Sequence, residues 1–377
     1  MCGVSAGVPP GSSRVLAEHP EYLSPEYTPD ELPHRERDVE NLSFYFESRL
    51  LRGVTPPHIL ITGPSGSGKT ATVKHVLARY TVPGFVAYTV ATGSGVKVLR
   101  SCASEVGVKL PVRGLSLDEA WERFSSEVGG ALLVVVLDEI DKMLAVEPDA
   151  PLLYYLSRRP RTWVIGLSNN YGALSLVKDE RVLSSFNPWR MVFDPYTVDQ
   201  VRDILQHRVK LAGASVKEEA VGMCAAVSVS TAGGDVRYAL NLLSSAVQLA
   251  EKAGDPAVEE RHVEAAKEEV ERGYILRSLT ALQPAHKLLL LKGVYEQRIS
   301  SPSQLYEYTN TVARQLGLSV YTYKRLSEFL NSLHVEGWVK ITRRGAAGRR
   351  GVLWEVQPTE EDAELVKTTI DKLLAQL

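Results

Sequence analysis

The chain has 377 residues, with 43 Lys+Arg against 45 Asp+Glu and a formal net charge of −2. Hydrophobic residues make up 44% and charged residues 23%, values ordinary for globular protein that exclude wholesale disorder, a fibrous repeat or a small stapled scaffold. Taken whole, the charge gives no hint of a polyanionic partner, and at ~150 residues per domain the length suggests two or three domains.

In chain order, residues 1–26 are rich in Gly, Pro and Ser without periodicity and read as a flexible N-terminal arm. Helical spacing follows from Leu32 to Leu51 and stops at Gly53 and Pro56-Pro57. Between 58 and 193, five short apolar runs (His58–Thr62, Phe85–Val90, Ala131–Leu137, Thr162–Ser168 and Arg190–Phe193) alternate with helical patterns. Continuous apolar runs of this length fit central strands of a parallel sheet covered on both faces, so residues 27–195 are expected to form an α/β domain.

From residue 196 to 273 only helices are expected: Val198–Leu211, Val216–Val229, Asp235–Ala253 and Val258–Arg272. Over 274–377 three helical stretches (Ala285–Gln297, Ser303–Leu316, Tyr321–Leu333) precede two strand-like runs, Trp338–Thr342 and Val352–Val356, and a last helix, Glu360–Leu374. Helix–helix–helix–hairpin is the winged-helix form of helix-turn-helix. The three cysteines are scattered with no CxxC, so neither a disulfide framework nor a zinc site is expected. The N-terminus lacks a basic-then-apolar leader, and Ala131–Leu137 is too short to span a bilayer; a soluble, cytoplasmic protein without membrane association is expected.

Gly63-Pro64-Ser65-Gly66-Ser67-Gly68-Lys69-Thr70 matches GxxxxGK[ST] between an apolar strand and a helical run. In that context backbone amides curl around phosphates, Lys69 neutralises phosphate charge, and Thr70 holds Mg²⁺. Leu132–Leu137 ends in Asp138-Glu139 at the carboxyl end of a central strand, where ligands of such sheets bind. Asp138 is expected to hold Mg²⁺, and Glu139 to orient and deprotonate the attacking water. Asn169 ends the next strand and can hydrogen-bond that water or the γ-phosphate. Arg237, near the start of a helix after Gly233-Gly234-Asp235, can reach the γ-phosphate.

The net charge is unevenly distributed. Residues 275–357 carry 12 Lys+Arg against 5 acids, or +7, while residues 1–274 carry −6 and residues 358–377 carry −3. The third helix of this basic region begins Tyr321-Thr322-Tyr323-Lys324-Arg325, whose hydroxyls and cations suit phosphates and whose Arg325 suits guanine. The hairpin tip carries Arg343, Arg344, Arg349 and Arg350, suited to phosphate or minor-groove contact. Double-stranded DNA is therefore the expected partner of this end.

Together these residues resemble an AAA+ ATPase, with P-loop, acid pair, sensor-1 Asn, sensor-2 Arg and helical lid. More narrowly the chain resembles the archaeal origin-recognition/cell-division-control replication initiators. The stretch Tyr27-Thr28-Pro29-Asp30-Glu31-Leu32-Pro33-His34-Arg35-Glu36 is similar to that family's N-terminal box. Arg181-Val182-Leu183-Ser184-Ser185-Phe186 with Met191-Val192-Phe193-Asp194-Pro195-Tyr196 resembles its "RV-SS-L … F-PY" passage, and Gly234, Asp235, Arg237, Ala239, Leu240, Leu242 and Leu243 meet its "GD-R-AL-LL" pattern.

The resemblance implies ATP/ADP and Mg²⁺ as cofactors. It places Tyr27, Pro29, His34 and Arg35 against adenine and ribose, with further nucleotide contacts at Ala71, Tyr196 and Arg208. It implies slow, regulatory ATP hydrolysis, binding of the replication origin through both the winged helix and the AAA+ domain, recruitment or loading of the replicative helicase, and self-association on DNA. Eukaryotic relatives carry an Arg where Ser185 stands, leaving Arg158, Arg159, Arg161 and Arg181 as candidates to act on a neighbour's ATP, with a structural ion pair or a solvated face as their plainer use. The alternative functions are a winged-helix P-loop ATPase regulating transcription or signalling, a clamp-loader-like motor, and a regulatory paralogue that does not initiate.

Overall fold

A computed structural model describes residues 16–112, 114–282, 284–335, 338–345, 352–359 and 363–375. The chain divides between Ala266 and Lys267 into two compact units.

The first unit is built on a parallel sheet of β1 (Ile59–Thr62), β2 (Gly84–Val90), β3 (Leu132–Asp138), β4 (Thr162–Ser168) and β5 (Trp189–Val192), in the order β2-β3-β4-β1-β5. The five apolar runs of the sequence become these strands. Side chains alternate along β3: Leu133, Val135 and Leu137 enter one apolar core, and Leu132, Val134 and Val136 enter the core on the other face. Covering both faces is why the run carries no polar alternation. One face is covered by α1 (Glu36–Ser48) and α2 (Lys69–Arg79), which contribute Leu42, Phe46, Val73 and Val76. The other is covered by α3 (Gly95–Glu105), α4 (Leu117–Val128), α5 (Ile140–Val146), α6 (Pro151–Arg158) and α7 (Glu180–Phe186). Ser116 and Glu119 close a reciprocal capping box at the start of α4.

Arg159, considered above as a residue acting on a neighbour, is built into the end of this sheet. Its guanidinium donates to the carbonyls of Gly129 (2.7 Å) and Ala131 (3.0 Å) and to Thr162 Oγ1 (2.9 Å), with 9% of the residue exposed. Arg159→Ala strips these acceptors of their donor and is expected to lower unfolding stability by ~2–3 kcal/mol, readable as a shifted urea midpoint at unchanged slope. Arg181 is held by Asp179 (2.7 Å) on the surface, and the Ser185 hydroxyl lies 2.9 Å from that of Ser157.

The same unit continues with α8 (Val198–Leu211), α9 (Glu218–Ala232) and α10 (Val236–Ala253). Thr197 and Gln200 box the start of α8, and Asp235 caps α10 through the Arg237 amide. The helix α11 (Glu260–Ala281) runs through Gly273, beyond the expected end at Arg272, and the division of the chain falls within it. A single glycine costs a helix only ~1 kcal/mol relative to alanine, which neighbouring residues offset.

The expected loose arm over 1–26 is corrected from residue 16 onward. Leu16, Ala17 and Leu23 are buried. The Leu16 amide donates to Glu251 Oε1 (2.8 Å), the Leu16 carbonyl accepts from Ser215, and the His19 amide donates to the Ala212 carbonyl. Residues 1–15 lie outside the described residues.

The second unit holds α12 (His286–Tyr295), α13 (Pro302–Gln315), α14 (Tyr323–Val335), an antiparallel pair β6 (Val339–Gly345) and β7 (Val352–Pro358), and α15 (Ala363–Leu374). Leu289, Leu305, Leu326, Leu330, Leu333, Trp338 and Ile370 form its core. This is the expected winged helix. No described helix is long and apolar enough to cross a membrane.

Candidate functional site

The first unit contains a cavity of about 490 Å³ in which the ends of β3 and β4, the start of α2, the segment before α1, and α8 and α10 converge. Ligand-binding clefts of small molecules have this size. One end is polar, lined by Lys69, Thr70, Asp138, Glu139, Asn169 and Arg237; the other holds Tyr27, Pro29, Leu32, Ile204 and Leu240.

At the polar end the loop 63–68 turns from β1 into α2. Gly66 and Gly68 have φ of +69° and +91°, a left-handed conformation open to glycine at little cost. The loop leaves the first amides of α2 facing the cavity without intrahelical partners. Lys69 Nζ donates to the carbonyls of Gly63 and Pro64 and to Asn169 Oδ1, each at 2.8 Å. Burial lowers its ammonium to about 8, with Asp138 pulling the other way.

Thr70 Oγ1 donates to Asp138 Oδ2 at 2.9 Å, and the Glu139 amide donates to Asp138 Oδ1 at 3.0 Å. Glu139 itself is left-handed (φ 56°, ψ 41°), a geometry that costs a non-glycine residue ~1–2 kcal/mol. Its carboxylate pairs with Lys142 at 2.6 Å. Ser65 Oγ donates to Asp235 Oδ2 (2.6 Å) and accepts from Arg237 Nη2, joining the P-loop to the start of α10.

Most of the sequence-predicted nucleotide residues gather here: Tyr27, Pro29, Arg35, Gly66, Ser67, Gly68, Lys69, Thr70, Ala71, Tyr196, Arg208 and Arg237 all line the cavity. Gly63 and Pro64 act through their carbonyls and Ser65 through the bridge to Arg237. His34 does not line it; the imidazole hydrogen-bonds Asp203 at 2.8 Å. Arg208 lines it, but its guanidinium is committed to the carbonyls of Tyr22 (2.9 Å) and Tyr27 (2.7 Å), so it fastens the N-terminal segment to α8. Arg35 reaches the Ser67 and Asp194 carbonyls (2.9 Å each) and stacks over Phe193 and Tyr196.

Sequence reasoning missed Tyr88, whose hydroxyl donates to Asp138 Oδ2; burial and that carboxylate both push the phenol's pKa up. Nothing in a single tyrosine within an apolar run signals such a contact. It also missed His207, one residue before Arg208, on the cavity wall.

In the second unit Thr322, Tyr323, Lys324 and Arg325 are exposed at the start of α14. Arg325 pairs with Glu328 at 2.7 Å, and the Thr322 hydroxyl accepts from the Arg325 amide. Tyr321 departs from the expectation. Its backbone is gripped on both sides by Asn310, and its ring packs on His286 and Phe329, so α14 begins two residues later than the spacing suggests. Arg343 and Arg344 stand opposite Trp354 and Leu353 in the hairpin register. Arg349 and Arg350 lie outside the described residues.

A cavity of this size, with a cationic end at a helix N-terminus and an apolar far end, suits an anionic ligand that also carries an apolar group. Residues 52–169 match the AAA domain family and residues 202–268 the Cdc6 AAA+ ATPase-type lid domain. The ORC1-type DNA replication protein of Methanothermobacter thermautotrophicus is 37% identical over 366 residues, covering 95% of this chain and 98% of the relative. ORC1-type DNA replication protein 1 of Sulfurisphaera tokodaii is 32% identical, covering 96% and 94%.

Among solved structures, Aeropyrum pernix ORC1 in complex with DNA superposes with a TM-score of 0.81 at 31% identity, over 95% of this chain and 98% of that one. Cdc6p of Pyrobaculum aerophilum, at 22% identity and a TM-score of 0.61 over 96% and 99%, shares the fold. Full-length likeness at this identity, on a chain that brings a P-loop, an acid pair and a lid arginine to one cavity, places it among the ORC1-type DNA replication proteins, which are AAA+ ATPases.

Proposed function

We propose that this chain is an ATP-dependent replication initiator that binds double-stranded origin DNA, with nucleotide binding and hydrolysis as a conformational switch. The observation that carries the reading is the convergence of Lys69, Thr70, Asp138, Glu139, Asn169 and Arg237 on one cavity that has an apolar far end.

Lys69 and the α2 amides hold the β- and γ-phosphates. Asn169, already hydrogen-bonded to Lys69, and Arg237, hydrogen-bonded to Ser65 of the P-loop, face the γ-phosphate. Tyr27, Pro29, Leu32 and Ile204 sandwich the base. Glu139 takes the proton of the attacking water once its carboxylate turns from Lys142.

Mg²⁺ would be held by Thr70 and Asp138 and would supply neutralisation of phosphate charge. Thr70 and Asp138 fit it: a hydroxyl and a carboxylate 2.9 Å apart are hard oxygen donors. No group of three or more His, Cys, Asp or Glu among the described residues could hold a metal, and a nucleotide-bound Mg²⁺ would not require one, since it is usually held by one or two protein oxygens.

DNA binding is supported by the relative solved on DNA, the +7 charge over 275–357 and the exposed Thr322, Tyr323, Lys324 and Arg325. Recruitment of the replicative helicase and self-association on DNA extend the same reading. Footprinting on origin-proximal DNA, with and without ATP, tests it. Arg343/Arg344/Arg349/Arg350→Ala should weaken binding uniformly across sequences and flatten the salt slope by roughly 3–4, one phosphate contact per arginine. Unchanged affinity and slope would sink the role of the hairpin.

A further inference from the structure

Tyr88 has no part in the roles above, yet it touches their central carboxylate. It lies on β2 opposite Val136 of β3. Asp138 stands two residues further along β3, on the same sheet face, within diagonal reach of a long side chain. That face is also the one α2 covers, which brings Thr70 and Lys74 to the same place; Lys74 Nζ sits 5.1 Å from the centre of the Tyr88 ring.

Tyr88 and Thr70 both donate to Asp138 Oδ2, and the Glu139 amide donates to Oδ1. The carboxylate is thus held by three donors: one from β2, one from α2 and the backbone amide of the residue after it. We infer that Tyr88 is a positioning residue for the metal-binding pair: its hydroxyl aims Asp138 Oδ2 at Thr70 and thereby sets the Mg²⁺ affinity of the nucleotide complex. This rests on the reading of Thr70 and Asp138 as that pair.

A threonine hydroxyl offers its lone pair to a cation only when its own hydrogen points to another acceptor. Asp138 Oδ2 is that acceptor here. With Thr70 as its sole side-chain partner, the carboxylate could turn about its Cβ–Cγ bond and carry the hydroxyl with it. A second donor, fixed on the neighbouring strand and steadied by Lys74 on its ring face, removes that freedom. Partners of metal ligands in this position are worth roughly 10–100-fold in metal affinity.

Tyr88→Phe removes the hydroxyl and keeps the ring. In full-length protein, binding of a fluorescent ADP is measured in EDTA and across a Mg²⁺ titration. The expected result is unchanged affinity in EDTA and a Mg²⁺ midpoint raised roughly tenfold. A titration superimposable on wild type overturns the inference. So does an equal loss with and without Mg²⁺, the mark of a general packing role. The underlying site reading is checked by the wild-type chain alone, where failure to bind ADP in either condition would overturn both.

Discussion

Lys69→Ala should abolish measurable ADP and ATP binding. Two charge-assisted contacts to phosphates are worth ~3 kcal/mol or more together, at least a hundredfold in Kd. The free protein should remain folded: the change removes a costly buried charge from a residue 6% exposed, and the acceptors it leaves lie at the cavity, where water replaces the lost donor. The discriminating measurement is a thermal melt with and without ADP: the nucleotide-induced rise seen in wild type should vanish while the ligand-free midpoint stays close to its place.

A pH dependence follows from the same residue. In the free protein burial holds Lys69 at about 8, and bound phosphates pull it back up. Above about pH 8, binding must therefore take up a proton and weakens by up to tenfold per pH unit. Affinity unchanged between pH 7.5 and 9.5 would remove Lys69 from the phosphate site.

Glu139→Gln should separate the two halves of the activity. The amide keeps the shape and cannot take a proton, so hydrolysis should fall by 10²–10⁴-fold, roughly the range for loss of a general base, while ATP binding persists. Retained turnover would reassign the base. The partner Lys142 sets the resting state: at 2.6 Å it holds the carboxylate in an ion pair, so Lys142→Ala should leave the base freer and raise the basal rate modestly.

The sheet strands were legible in the sequence because both-face burial leaves an uninterrupted apolar run, as in Leu132–Leu137. The P-loop was legible because its spacing and its strand–helix setting are dictated by phosphate geometry. Contacts between residues far apart in sequence were not. Arg208 entered the site on resemblance alone; it lines the cavity and also donates to two carbonyls more than 180 residues upstream, and nothing local to α8 announces those partners. The docking of residues 16–26 was hidden for the same reason, since Gly and Pro content describes a chain's local preference and not what its few apolar side chains find. The pairing of His34 with Asp203 and the packing of Tyr321 on His286 and Phe329 were hidden too, because a motif gives the neighbourhood of a side chain but not the direction it takes.

Gly66 is constrained twice over. Its backbone is left-handed, and a Cβ placed there would lie 1.9 Å from Asp235 Oδ1 and 2.6 Å from Asp235 Cα, at the cap of α10. The second constraint has nothing to do with ATP. A descendant that had lost all nucleotide chemistry would still be selected to keep this glycine, simply to let its two halves close. In surveys of degenerate relatives, an intact glycine at this position is therefore a record of architecture, and Lys69 and Glu139 are the positions where loss of activity would first be written.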